Sequence, residues 1–173
     1  EYVDRNQSEM LLASNISFFS KVFNRTGKID SIMEFGCNIG MNLKAIRALL
    51  PESNLSGIEI NKKAADFLKK WKGGAQVIEG SILDIELKTS YDLTFIKGVL
   101  IHINPERLND VYTRLYNFSN KYICIAEYYN PTPVSIPYRG YDNRLFKRDF
   151  AGEFMSKYPD LELLDYGFIY HND

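Results

Sequence analysis

The chain has 173 residues, 45% hydrophobic and 25% charged, a balance that suits one compact domain and excludes collagen-like, fibrous and intrinsically disordered chains. Twenty-one Lys and Arg against 22 Asp and Glu leave a net charge of −1, so no overall field draws the chain to nucleic acid or anionic lipid. No run approaches the roughly 18 uninterrupted apolar residues of a membrane span, and the opening EYVDRNQ lacks the basic-then-apolar pattern of a secretory signal, so a cytoplasmic protein is expected.

In chain order, Asn6 and Glu9 read as a capping box for a helix whose apolar face is Leu12, Ile16, Phe19 and Phe23, ending by Gly27. Residues 31–35 read as a first strand, followed by a helix that starts near Met41, buries Leu43 and Ile46, and stops before Pro51. A second strand is expected over 55–60, then a helix capped by Asn61 and ended by Gly73-Gly74, then a third strand over 75–78. A fourth strand is read at 91–97. Asn104-Pro105 forms a helix entry, because Asn accepts orphan amides and proline has no N–H to lose. The apolar run KYICIAE over 121–127 reads as a fifth strand, covered on both faces.

Residues 128–148, with three prolines, read as a long functional loop, followed by a helix around 149–157 and a sixth strand over 161–169. Alternation of strand and helix predicts an α/β, doubly wound, mostly parallel Rossmann-like sheet with helices on both faces. One domain is expected over 1–173: an N-terminal helix to 29, a core over 30–127, an acceptor loop over 128–148, and a C-terminal helix and strand. Six strands are expected, with a seventh absent or supplied beyond residue 173.

Chemistry concentrates at the strand ends. Glu34-Phe35-Gly36-Cys37-Asn38-Ile39-Gly40 is an acidic strand end followed by three turn-competent residues at two-residue spacing, with helix N-terminal amides behind them. A dinucleotide site wants glycines at 36, 38 and 41, but Met41 occupies the third position, so NAD is the weaker reading. Glu59 lies 19 residues beyond Gly40, where a strand-end carboxylate accepts from ribose hydroxyls. Cys37 and Cys124 are too few for a disulfide scaffold, and with His102 and His171 they show no metal-ligand spacing, so no metal is expected.

These residues, with Gly80-Ser81-Ile82-Leu83-Asp84 and KGVLIHI at 97–103, closely resemble class I S-adenosylmethionine-dependent methyltransferases over roughly residues 30 to 130. The resemblance implies S-adenosyl-L-methionine as cofactor. Gly36, Cys37, Asn38 and Gly40, behind Glu34, would wrap its methionine and ribose portions, Glu59 and Ile60 would hold the ribose side, Ser81 and Ile82 would border adenine, and Lys97 with Gly98 would lie beside it. Asn38 departs from the family's more usual central glycine. More narrowly, EYVDRN, CNIGMNLKAI, KGVLIHINP and AEYYNPTPVSIPYRGYDNRLFKRDFAGE resemble the methylases associated with pseudaminic acid biosynthesis, which implies a sugar or sugar-linked acceptor, with Arg5 reaching the cofactor carboxylate.

Methyl transfer to a hydroxyl requires loss of a proton, and His102, just past the fourth strand, is the candidate base; its structural alternative is to pad the following helix. Tyr128, Tyr129, Arg139, Arg144 and Lys147 are the candidate acceptor-binding residues, offering aromatic faces and cationic donors. No Asn/Asp-Pro-Pro-aromatic segment follows the fourth strand, which argues against adenine or glutamine-amide methylation. The expected partner is a small-molecule acceptor, with no membrane or nucleic acid; the sequence sets no oligomeric state. The competing readings are an RNA or protein methyltransferase, which the short basic segment at 139–148 would serve, and a cofactor-binding protein without transfer activity.

Overall fold

The computed structural model describes residues 8–86, 88–138 and 140–169, with backbone alone at 138 and 141–144. Helix α1 (Glu9–Phe23) begins at Ser8, whose Oγ accepts the Leu11 amide at 3.0 Å. Asn6 lies outside the described residues, and Ser8 occupies the cap position assigned to it. Strand β1 (Ser31–Phe35) and helix α2 (Met41–Leu49) follow, then β2 (Asn54–Glu59), α3 (Lys62–Lys69) and β3 (Ala75–Glu79). Asn61 caps α3 as expected, its Oδ1 accepting from Lys63 and Ala64. After β4 (Tyr91–Lys97) come two 3₁₀ turns, Leu100–His102 and Pro105–Arg107, then α4 (Leu108–Asn117) and β5 (Ser119–Ala126).

The five strands form one parallel sheet in the order β3-β2-β1-β4-β5. This is the doubly wound architecture that the strand–helix alternation predicts. The period of two divides the side chains between two cores. Ile32, Leu55, Leu93 and Phe95 pack with Phe19 of α1, Leu43 and Ile46 of α2, and Leu68 of α3. Met33, Phe35, Ile58 and Ile96 face the opposite side, against Val111 and Leu115 of α4 and Phe150 and Phe154 of α5 (Phe150–Lys157). Arg47 ties α2 to the neighbouring loops by donating to the carbonyls of Pro51, Ser53, Gly73 and Gly74.

Two expectations fail beyond β5. Residues 128–148 are not an irregular loop: β6 (Val134–Tyr138) and β7 (Tyr141–Lys147) pair as an antiparallel hairpin, turning through Gly140 at φ 80°. The register shifts between Ile136 and Tyr138, at Pro137, which has no N–H to give the ladder. Residues 161–169, read as a sixth strand, form no regular element; Leu163, Leu164, Tyr166, Phe168 and Ile169 are exposed. Their apolar character suits a strand, but a strand needs a ladder partner. Among the described residues there are thus seven paired strands rather than six, five in the sheet and two in the hairpin, and none of them pairs with the outer edge of β5. Among these residues no helix is long and apolar enough to cross a membrane.

Phe19 joins α1 to the sheet. It is fully buried, edge-on to Phe95 at 5.2 Å and stacked on Phe23 at 5.9 Å. Phe19→Ala is expected to lower the unfolding free energy by about 3–5 kcal/mol in urea denaturation, whereas truncating Met10, 83% exposed, changes it by no more than about 0.5 kcal/mol.

Candidate functional site

Chain order makes β1 the point at which the sheet reverses: β2 and β3 are added on one side, β4 and β5 on the other. A crevice opens outside the carboxyl ends of strands at such a point. Here it is a cleft of about 500 Å³, bordered by the segments after β1, β2, β3 and β4 and by Leu11 and Asn15 of α1.

The turn from β1 to α2 is wound by three residues at positive φ: Gly36 at 84°, Asn38 at 47° and Gly40 at 80°. Asn38 is the only non-glycine residue with positive φ among those described, which shows that asparagine accommodates the left-handed geometry of this turn. A Cβ on Gly36 would come within 2.6 Å of Val99, and one on Gly40 within 2.3 Å of Leu68, so both positions are also tightly packed. Glu59 fastens the turn: its Oε2 accepts the Asn38 amide and its Oε1 the Asn61 amide, both at 2.7 Å. Ser81 Oγ accepts the Leu83 amide at 3.1 Å, shaping the segment after β3, and Ile82 is buried beside it.

Of the sequence-predicted cofactor residues, Glu34, Gly36, Cys37, Asn38, Glu59, Ile60, Ser81, Ile82, Lys97 and Gly98 line this cleft, as does His102. Gly40 stands behind it as the N-cap of α2. Arg5 lies outside the described residues. On the proposed acceptor side, Tyr128 and Tyr129 are exposed and border no part of the cleft, and Lys147 Nζ sits 5.3 Å from the Tyr128 ring. Arg139 and the side chain of Arg144 lie outside the described residues. The hairpin does approach the site, because β7 packs on the turn Leu100–His102.

Glu34 is fully buried at the end of β1. Its Oε1 accepts from Asn42 Nδ2 at 2.6 Å, and its Oε2 has no partner. Burial raises its carboxyl from 4.5 to about 8, against the opposing effects of Asn42 and the Lys97 charge. Cys37 is buried between the cleft and the core, and burial followed by the nearby Glu34 and Glu59 charges drives its thiol far above the ordinary range. It is therefore not a nucleophile at neutral pH. Among the described residues no cluster of His, Cys, Asp and Glu could hold a metal ion.

Sequence reasoning missed Asn42, Asn15 and Glu127. Asn15 is a buried polar residue on a helix read only for its apolar face. Glu127 has the signal that singled out Glu34 and Glu59, an acid ending an apolar strand. Its Oε1 accepts the Val99 and Leu100 amides, its Oε2 is buried without a partner, and burial raises its carboxyl to about 7.

Both raised carboxyls give stability a defined pH dependence. The folded chain keeps protons on Glu34 and Glu127 that the unfolded chain releases near 4.5, so stability falls as pH rises from there to about 8. Thermal melts across that range should show a declining Tm, and Glu34→Gln, which keeps an acceptor for Asn42, should flatten part of the decline.

No protein-family model matches the chain, and no curated protein matches it either. Solved structures do. The plantazolicin methyltransferase BpumL in complex with SAH superposes with a TM-score of 0.60 at 21% identity, over 74% of this chain and 51% of that one. The O-methyltransferase of the trans-AT PKS multienzyme of Brevibacillus brevis, in complex with S-adenosyl-L-homocysteine, gives 0.62 at 16% identity over 81% and 48%. Streptomyces venezuelae DesVI gives 0.59 at 13% identity over 75% and 59%. The chain spans about half the length of these structures, and at such identities the likeness establishes a shared fold: the doubly wound sheet of this chain is the one on which these three proteins are built.

Proposed function

We propose that this chain is the cofactor-binding core of an S-adenosylmethionine-dependent methyltransferase acting on a small polar metabolite, with a sugar or nucleotide-sugar as acceptor. The observation that carries the reading is the cleft at the switch point, where a left-handed glycine-rich turn and a strand-end carboxylate meet. Its residues fit the cofactor. Each Glu59 oxygen is engaged by one backbone amide and keeps acceptor capacity for a ribose hydroxyl. Gly98, at φ 68° with open space where a Cβ would stand, lets the backbone approach a ligand closely. The neighbours that carry SAH or S-adenosyl-L-homocysteine on the same fold support the same cofactor.

When bound, the cofactor supplies an electrophilic methyl group. The chain's own residues would then bind, orient and exclude water. Ile60, 71% exposed, and Ile82 offer apolar surface to a planar base, and Gly36, Asn38 and Gly98 also border the cleft. His102 borders the cleft as the exposed residue of its turn, where its imidazole would take the proton of a hydroxyl acceptor. The hairpin packed on that turn, carrying Arg144 and Lys147 and following Tyr128 and Tyr129, would form the acceptor side, with residues 1–173 acting as one domain. The match to pseudaminic acid-associated methylases, the cytoplasmic location and the sugar acceptor belong to this proposal and rest on the sequence.

Calorimetry with S-adenosylhomocysteine tests the cofactor: the folded chain should bind it, and Glu59→Ala should weaken binding by about 1–3 kcal/mol. No heat with the folded chain overturns the reading. Incubation with labelled cofactor and a panel of nucleotide-sugars tests the acceptor. His102→Ala is expected to cut turnover by roughly 10²–10⁴-fold with S-adenosylhomocysteine affinity unchanged, and equal turnover returns His102 to a structural role. Binding without transfer to any acceptor, RNA and protein included, would favour a cofactor-binding protein without activity.

A further inference from the structure

The turn Leu100–His102 carries the candidate base, but nothing on the turn itself caps it: its N-cap residue, Val99, has no side-chain hydrogen bond to offer. Opening amides of such a turn have no partner within it. They are satisfied from the neighbouring strand. Glu127, one residue past β5, brings its Oε1 to the Val99 amide at 2.8 Å and the Leu100 amide at 2.9 Å, across 28 and 27 residues of sequence. The Gly98 amide donates to the Ala126 carbonyl at 3.0 Å. Thus three successive amides, Gly98 to Leu100, hang from the end of β5, and Gly98, Val99 and His102 all line the cleft.

We propose that Glu127 is a positioning residue: by gripping the Val99 and Leu100 amides it sets where Gly98 and His102 stand in the cleft, and couples that placement to the segment that begins at Tyr128. The proposal deepens the methyltransferase reading and rests on it, since only there does the place of His102 matter to turnover. The geometry has a second side. β7 packs on the same turn, with Leu145 against the cluster that holds Leu100 and Ile101, so the turn is held between Glu127 and the hairpin.

Ionisation of Glu127 tunes the grip, because a charged carboxylate accepts more strongly than a carboxylic acid. The titratable and charged groups that bear on it are Lys97 on β4 and Tyr112 on α4, whose hydroxyl donates to Glu153 and which also feels the Arg148 charge. Its Oε2, which has no partner, is the oxygen left to carry a proton in the neutral form. The grip therefore tightens as pH rises through neutrality.

Nuclear magnetic resonance on the isotope-labelled chain tests this. The Val99 and Leu100 amide protons should shift with a shared midpoint near neutrality that matches the Glu127 carboxyl carbon. In Glu127→Gln, which keeps an Oε1 acceptor, that titration should vanish while both amides stay protected from exchange. In Glu127→Ala their exchange should accelerate on the order of tenfold or more. Added S-adenosylhomocysteine should move the His102 imidazole resonances in the wild type and the Gln variant, but not in the Ala variant. Flat amide shifts in the wild type overturn the proposal even if no variant folds, as does unchanged exchange in a folded Ala variant. Failure of S-adenosylhomocysteine to bind at all, with the amides still titrating, overturns the cofactor reading and leaves the grip on the turn established.

Discussion

The site depends on the two hydrogen bonds that Glu59 accepts from the Asn38 and Asn61 amides. They draw the β1–α2 turn and the start of α3 onto one carboxylate, so two loops far apart in sequence share an anchor at the end of β2. The left-handed Asn38 and the close packing of Gly40 on Leu68 belong to the turn so anchored. A carboxylate is well suited to the task, because charge-assisted bonds from backbone amides are short and strong and still leave lone pairs free.

Around that anchor the protein buries two further acids that it does not fully satisfy. Glu34 has one oxygen on Asn42 and one without a partner; Glu127 has one on the Val99 and Leu100 amides and one without a partner. An unpaired buried carboxylate oxygen is costly, and protonation is the cheapest relief, which is why both carboxyls rise into the neutral range. Lys97 opposes both shifts without cancelling them. Groups perturbed in this way gather at functional sites more often than in structural cores, and here they stand at the carboxyl ends of β1 and β5, on either side of the strand that leads to His102.

The segment beyond β5 shows how tertiary context selects between strand-competent sequences. Residues 134–147 contain Pro137 and four charged residues, at 139, 142, 144 and 147, yet they pair, because a tight turn through Gly140 brings two strands together locally. Residues 161–169 are richer in apolar side chains, yet they pair with no described strand. A local hairpin needs only its own turn. A lone strand needs a neighbour.

The sequence by itself determined the order of strands and helices through β5, the caps at Asn61 and Asn104, and the acidic strand end and small-residue turn, Glu34 to Asn38, that border the cleft, because each rests on local chemistry: hydrophobic period, an asparagine or proline at a helix entry, small residues at a turn, an acid at a strand end. Glu59 was legible for the same reason, by its spacing from Gly40. Only the tertiary structure decided what those acids do. Asn42 beside Glu34, the amides of Val99 and Leu100 on Glu127, and Asn15 reaching the cleft from α1 are contacts between segments whose separation carries no signal along the chain. The hairpin and the unpaired 161–169 were illegible for the corresponding reason: β-propensity describes a residue, whereas a strand exists only where a second backbone meets it, and which backbones meet is fixed by the packing of the whole.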